Sequence, residues 1–121
     1  MGIRNMTEDE QKEIRSPFRE AVNMAPQELE RWLATDESRS VGWTHQGEDE
    51  SVGHQSGRRI VRLKRKAVSE LSDDDYAHMR KVIGYVHRHS AQRPDGDAAD
   101  TNWRYSLMNW GHDPLKSTGR A

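Results

Sequence analysis

Apolar side chains recur three and four residues apart through the middle of the chain, the spacing of amphipathic helices. Ile60, Leu63, Ala67 and Leu71 fall on one face, with Val61 and Val68 widening the stripe, which predicts a helix over Arg58–Leu71. Tyr76, Met79, Val82, Ile83 and Val86 do the same and predict a second over Asp73–Ser90. Between them, Ser72-Asp73-Asp74-Asp75 supplies a stop and a new start: the serine caps, and three carboxylates suit the positive end of the helix dipole. Towards the start of the chain, prolines punctuate the pattern. Thr7 and Glu10 have the spacing of a capping box, which predicts a short polar helix to about Arg15. Ser16-Pro17 then has the form of a fresh cap with proline at the first helical position, opening a segment to about Met24 with Phe18, Ala21, Val22 and Ala25 along one face. Pro26 opens another, Pro26–Ala34, with Leu29, Trp32 and Leu33 on its apolar side. The turn-rich Arg93-Pro94-Asp95-Gly96-Asp97 precedes a last short helix over Thr101–Asn109, carrying Trp103 and Leu107, followed by Trp110 and closed by Gly111.

Residues 35–57 break the periodicity. They hold Gly42, Gly47, Gly53 and Gly57 and few aliphatic side chains, which predicts a long loop, and such a loop in a small domain is usually functional or mobile. The expected architecture is therefore a single all-α domain of four to five short helices with a long glycine-containing loop. An acidic N-terminal arm is expected over residues 1–16, the helical domain over 17–116 with its loop at 35–57, and a flexible tail over 117–121.

Composition bounds this picture without changing it. The 121 residues suit one domain, and 32% hydrophobic residues allow one modest core, helped by four tryptophans. The absence of cysteine excludes disulfides, thiolate catalysis and cysteine-ligated zinc. No apolar run approaches the roughly 20 residues of a membrane span, and the polar, acidic Met1–Glu13 lacks the form of a secretory signal. The expected compartment is the cytoplasm.

Charge changes the picture more. The net charge of −1 conceals a strong asymmetry. Residues 1–55 carry 6 basic and 12 acidic side chains, a net of −6, whereas residues 56–93 carry 10 and 4, a net of +6. Such a split points to a polyanion partner or to pairing between the two halves. On the predicted helix at Arg58–Leu71, Arg58, Arg62 and Arg65 form a stripe of their own, flanked by Arg59 and Lys66, and the following helix adds Arg80, Lys81 and Arg88. Guanidinium groups on one face suit phosphate oxygens, and a solvated basic face is the plain alternative. Gly53, His54, Ser56 and Gly57 lie just before the predicted helix start, where small residues and free backbone N–H groups would favour an anion; neither the P-loop nor the dinucleotide spacing is present, and Ser56 as a simple cap accounts for the same residues. Trp43, in the glycine-rich segment, is the candidate for an exposed stacking contact, whereas Trp32, Trp103 and Trp110 have the apolar neighbours of core residues. His87 and His89 point about 200° apart on a helix and make poor co-ligands. A metal site would have to draw on distant residues such as His45, His54 and His112, so no metal or cofactor is expected.

Four strings bear a resemblance: Glu28-Leu29-Glu30-Arg31-Trp32-Leu33, Ser51-Val52-Gly53-His54-Gln55-Ser56-Gly57-Arg58-Arg59-Ile60-Val61, Asp74-Asp75-Tyr76-Ala77-His78-Met79-Arg80-Lys81-Val82, and Trp103-Arg104-Tyr105-Ser106-Leu107-Met108-Asn109-Trp110-Gly111-His112-Asp113-Pro114. Together they resemble an uncharacterised microbial family, the domain of unknown function numbered 3140, over roughly Phe18–Lys116. Members are often labelled DNA-binding proteins, so the resemblance implies a DNA partner but supplies no catalytic or binding residues. Ala25, before Pro26, departs from the polar cap expected there.

The expectation from sequence is thus a small DNA-binding protein without enzymatic activity, contacting phosphate through Arg58, Arg59, Arg62, Arg65, Lys66, Arg80, Lys81 and Arg88 largely without base readout, and nucleoid-associated in that case. The alternative is an interaction or oligomerisation module whose acidic arm pairs with the basic helices. A metal-dependent enzyme using histidines stands third.

Overall fold

The first helix, α1 (Glu8–Ala21), begins at the expected capping box: the Glu10 N–H donates to Thr7 Oγ1 (3.1 Å) and the Thr7 N–H to Glu10 Oε1 (3.0 Å). In this computed structural model, which describes residues 6–116, α1 does not stop at Ser16. Pro17 lies inside it, so the expected fresh start and the boundary between arm and domain both fall within one continuous helix. An interior proline costs about 3 kcal/mol. Ile14, Phe18 and Ala21 sit at i, i+4 and i+7, all buried, on the helix that packs most extensively with α5. Burying an Ile or a Phe contributes roughly 1.5–3 kcal/mol each, enough to offset the proline.

Helix α2 (Pro26–Leu33) follows, buries Leu29 and Leu33, and packs chiefly on α4. Ala25 offers no side-chain cap, but Glu28 Oε1 accepts its backbone N–H (3.2 Å). Part of the expected loop is then helical: α3 (Asp36–Ser40) is capped by Thr35, whose Oγ1 accepts from the Ser38 N–H (3.1 Å). It lacks an apolar stripe. Its one buried side chain, Ser38, donates to Asn109 Oδ1 (2.5 Å).

Helix α4 (Val52–Arg65) starts well before Arg58, capped by Ser51 Oγ on the His54 N–H (3.1 Å). Gly53 and Gly57 therefore lie in a helix rather than a turn, four apart on one face. A Cβ on Gly57 would stand 2.5 Å from the Asn109 carbonyl oxygen and 2.7 Å from Leu33 Cδ2, and one on Gly53 would stand 3.0 Å from Trp110 Nε1. The two glycines let α4 close against α2 and α6. Of the expected loop, Thr35 and residues 41–51 lie outside helices. The helix also ends early. Lys66 is extended, Ala67 and Val68 are exposed, and a separate 3-10 turn over Val68–Glu70 is set by the Ala67 N–H donating to Glu70 Oε1 (3.0 Å).

Helix α5 (Asp73–Ser90) has the expected bounds, capped by Ser72, and buries Tyr76, Met79, Val82 and Val86. Helix α6 (Asn102–Asn109) is capped by Thr101 and turned out of helix at Gly111, whose φ of +81° favours glycine. Six α-helices and one 3-10 turn make up the described residues, which contain no strand. The pairs α1–α5 and α2–α4 meet over one core, with α6 touching α2, α3, α4 and α5. Among the described residues no helix is long and apolar enough to cross a membrane.

Candidate phosphate-binding groove and aromatic cavity

The eight basic side chains expected to meet phosphate occupy four settings. Arg58, Arg62 and Arg65 share the outer stripe of α4 and line a groove of about 370 Å³, joined there by Arg39 from α3. Leu33, Ala34 and Val61 are its apolar lining residues, and Glu30 is the carboxylate among them all. Arg65 grips Glu30 with both guanidinium ends (3.2 Å each), which holds that carboxyl below its usual range. Arg58 grips Glu50, just outside the groove (Nε–Oε2 2.8 Å, Nη2–Oε1 2.5 Å), lowering its carboxyl in turn against an opposing effect of burial. Arg39 and Arg62 are exposed and make no ion pair with a carboxylate among the described residues, although Arg39 also borders a recess containing Asp49 and Glu50.

Arg59 and Lys66 turn the other way and converge on Asp75, at 3.3 Å and 2.8 Å. Asp75 is buried, which pushes its pKa up. The bonds from Lys66, the Ser72 N–H and Arg59 outweigh this and hold it at about 2. Beside it, His78 shares a 2.9 Å hydrogen bond with Ser56, and burial, helped by the nearby Arg59 and Lys81 charges, lowers its pKa to about 4. The histidine is therefore neutral near pH 7. Arg80 stands apart, lining a shallow depression with Glu10, Glu13 and Ile14 of α1.

Lys81 and Arg88 form the fourth setting. They lie seven residues apart on α5, on one stripe with Tyr85, and line a cavity of about 280 Å³ together with Trp43 and Trp110. Tyr85 stacks on Trp110 (centroids 4.3 Å, planes 16° apart), and His89 stacks on Tyr85 (5.0 Å, 20°). Trp110 is 5% exposed and Trp43 66% exposed, so one indole is packed into the fold while the other lies mostly in solvent.

The expected anion-binding turn is not formed. Gly53, His54, Ser56 and Gly57 are buried within α4, and the His54 N–H is capped by Ser51. Both ring nitrogens of His54 already face acceptors, the Glu50 carboxylate and the Leu33 carbonyl oxygen (2.7 Å to the latter). The turn expectation failed because glycines at helical contact points have the same composition as glycines in a turn. His45 lies against Trp43, and His112 Nδ1 bonds the Ala21 carbonyl oxygen (2.8 Å), so His45, His54 and His112 do not meet. Among the described residues no group of three metal-ligating side chains comes together. Sequence reasoning missed Arg39, hidden in the presumed loop. Thr35 followed by Asp36 and Glu37, a cap with acids in the first turn, was the signal that would have found its helix.

The chain matches, over residues 17–108, the family model described as a protein of unknown function, DUF3140, and it belongs to that family. No curated protein and no solved structure matches it.

Proposed function

We propose that this protein binds nucleic-acid phosphate through the arginine groove between α3 and α4. The observation that carries the proposal is the convergence of Arg39, Arg58, Arg62 and Arg65 from two helices on a groove with one lining carboxylate. Guanidinium groups offer paired donors to phosphate oxygens, and Arg39 and Arg62 make no ion pair among the described residues. Glu30 and Glu50 hold Arg65 and Arg58 in place, so phosphate contacts there use the remaining N–H groups. Phosphate contacts carry no sequence information, so binding through them is sequence-tolerant. Duplex DNA titrated at several salt concentrations tests this. Affinity should fall linearly on a log–log plot, and the double variant Arg39→Gln/Arg62→Gln should weaken it and reduce the slope by about 2. Undetectable or salt-independent binding would sink the proposal.

A second function has one observation in its favour. Arg58, Arg59, Arg65 and Lys66 meet carboxylates of their own chain, and Arg80 lies beside Glu10 and Glu13, as in a charge network that supports protein association. The double variant Glu10→Gln/Glu13→Gln separates the two: light scattering should show oligomers dissociating if α1 is an interface, and DNA affinity should rise if its charge only opposes phosphate.

A further inference from the structure

The arginine groove is not evenly basic. Along the outer stripe of α4, Arg58, Arg62 and Arg65 follow one another after four and three residues, so they stand about 6 Å and about 4.5 Å apart along the helix axis. The two outer members are held by carboxylates. Arg58 donates to Glu50 through Nε and Nη2, and Arg65 donates to Glu30 through both Nη groups. Arg62, between them on the stripe, forms no ion pair among the described residues. Arg39 reaches the same groove from α3, also without one. Four guanidinium charges against two carboxylates leave two positive charges uncompensated, those of Arg39 and Arg62.

That distribution favours one doubly charged phosphate over a row of singly charged ones. A backbone laid along the stripe would bring successive phosphates up to Glu30 and Glu50, where like charges repel. A phosphate monoester at a strand end carries about −1.5 to −2 charges at pH 7 and three acceptor oxygens on one phosphorus. Its charge matches what the groove leaves uncompensated, and its oxygens suit two guanidinium forks arriving from different helices. The shape agrees. The groove holds about 370 Å³, within the roughly 300–1,000 Å³ typical of small-ligand sites, and Leu33, Ala34 and Val61 give it apolar lining. A strand end can bring its last sugar against that lining. A duplex passing side-on keeps its internal phosphates on a convex rod, outside the concavity.

We infer that the groove recognises the phosphorylated end of a nucleic-acid strand, with the monoester phosphate bound by Arg39 and Arg62. This rests on the nucleic-acid function proposed above and narrows its ligand from backbone to strand end. Glu30 and Glu50 limit the site, because the charges they neutralise are no longer offered to further phosphates.

Fluorescence anisotropy on the full chain tests this with four probes: one short, internally labelled duplex bearing 5′ phosphates, 3′ phosphates or hydroxyls at both ends, and a labelled phosphoserine peptide. One of the phosphorylated duplexes should bind about tenfold or more tighter than the hydroxyl-ended one, since hydrogen bonds to a charged group account for such a factor. A preference for either phosphorylated end supports the inference, and the preferred probe identifies which end is read. Arg39→Gln/Arg62→Gln should abolish the preference, and both side chains are exposed, so the variant should keep its fold. Glu30 is 60% exposed and pairs with Arg65, so Glu30→Gln should also fold. It should raise affinity for the hydroxyl-ended duplex, by freeing Arg65 for internal phosphates, and so narrow the preference. Equal affinity for all three duplexes overturns the inference and leaves phosphate binding by the groove standing. A preference that survives the double variant or Glu30→Gln unchanged overturns it as well. A phosphoserine peptide bound as tightly as the best duplex overturns the assignment to a nucleic-acid end. If no duplex binds, the function proposed for the groove falls with it.

Discussion

Asp75 joins three jobs in one carboxylate. It completes the capping box of α5 through the Ser72 N–H (3.1 Å), and it receives Arg59 from the middle of α4 and Lys66 from its C-terminal end. Its folded pKa of about 2 lies below the ordinary 3.8, so the ionised form stabilises the fold. That contribution is complete above pH 3.8 and is lost as pH falls towards 2. Asp75→Asn should cost about 2 kcal/mol near neutral pH, from the size of the shift. In urea denaturation across pH, variant and wild type should converge as pH approaches 2; a constant gap would show that packing, not ionisation, is responsible. The capping role was legible in Ser72-Asp73-Asp74-Asp75. The pairing with Arg59 and Lys66 was not, because it requires the end of one helix to return to the start of the next, and local spacing carries no such information. Sequence reasoning therefore offered both cations to phosphate, and the structure shows them already engaged.

At the scale of elements, the strongest lesson is α4. Its glycines suggested a loop because glycine lowers helix propensity, by about 1 kcal/mol each relative to alanine. Close packing overrides that propensity where a side chain would collide. Gly57→Ala should destabilise the protein by about 2–3 kcal/mol despite its better propensity, since the new methyl meets the Asn109 backbone oxygen and Leu33. Gly84→Ala in α5 is the control. Its Cβ would meet only the end of the mobile Arg88 side chain, at 3.0 Å, so this substitution should be neutral or stabilise by up to about 1 kcal/mol. Chemical denaturation of both variants checks the contrast. The same competition explains Pro17, where burial of Ile14 and Phe18 keeps α1 continuous.

At the scale of the molecule, the acidic N-terminal segment is part of the core rather than an appendage. Ile14 is 5% exposed within the main cluster, and Arg15 Nη1 donates to the Tyr76 hydroxyl across α5 (2.7 Å). Removing residues 1–16 should therefore lower Tm by about 10 °C or more, measured by circular dichroism, because losing a buried Ile alone costs roughly 2–5 kcal/mol. An unchanged Tm would return the segment to the status of an arm. The far end is tied in as firmly. Arg104 holds Asp113 with two bonds of 3.0 Å, and Asn23 bonds both the backbone N–H and the carbonyl oxygen of Asp113. The expected tail over residues 117–121 lies outside the described residues.

By itself the sequence determined the all-helical class, the bounds of α5, the caps at Thr7 and Ser72, the exposure of Trp43 and the charge asymmetry. All of these follow from periodicity or from neighbours within a few residues. Only the tertiary structure decided that Gly53 and Gly57 are helical contacts, that Arg59 and Lys66 belong to Asp75, that Arg39 joins Arg58, Arg62 and Arg65, and that Lys81 and Arg88 line one cavity with Tyr85 and Trp110. The physical reason is common to all four. Each depends on which helix faces meet, and that is set by how the whole core closes, not by any stretch of chain that sequence spacing can survey.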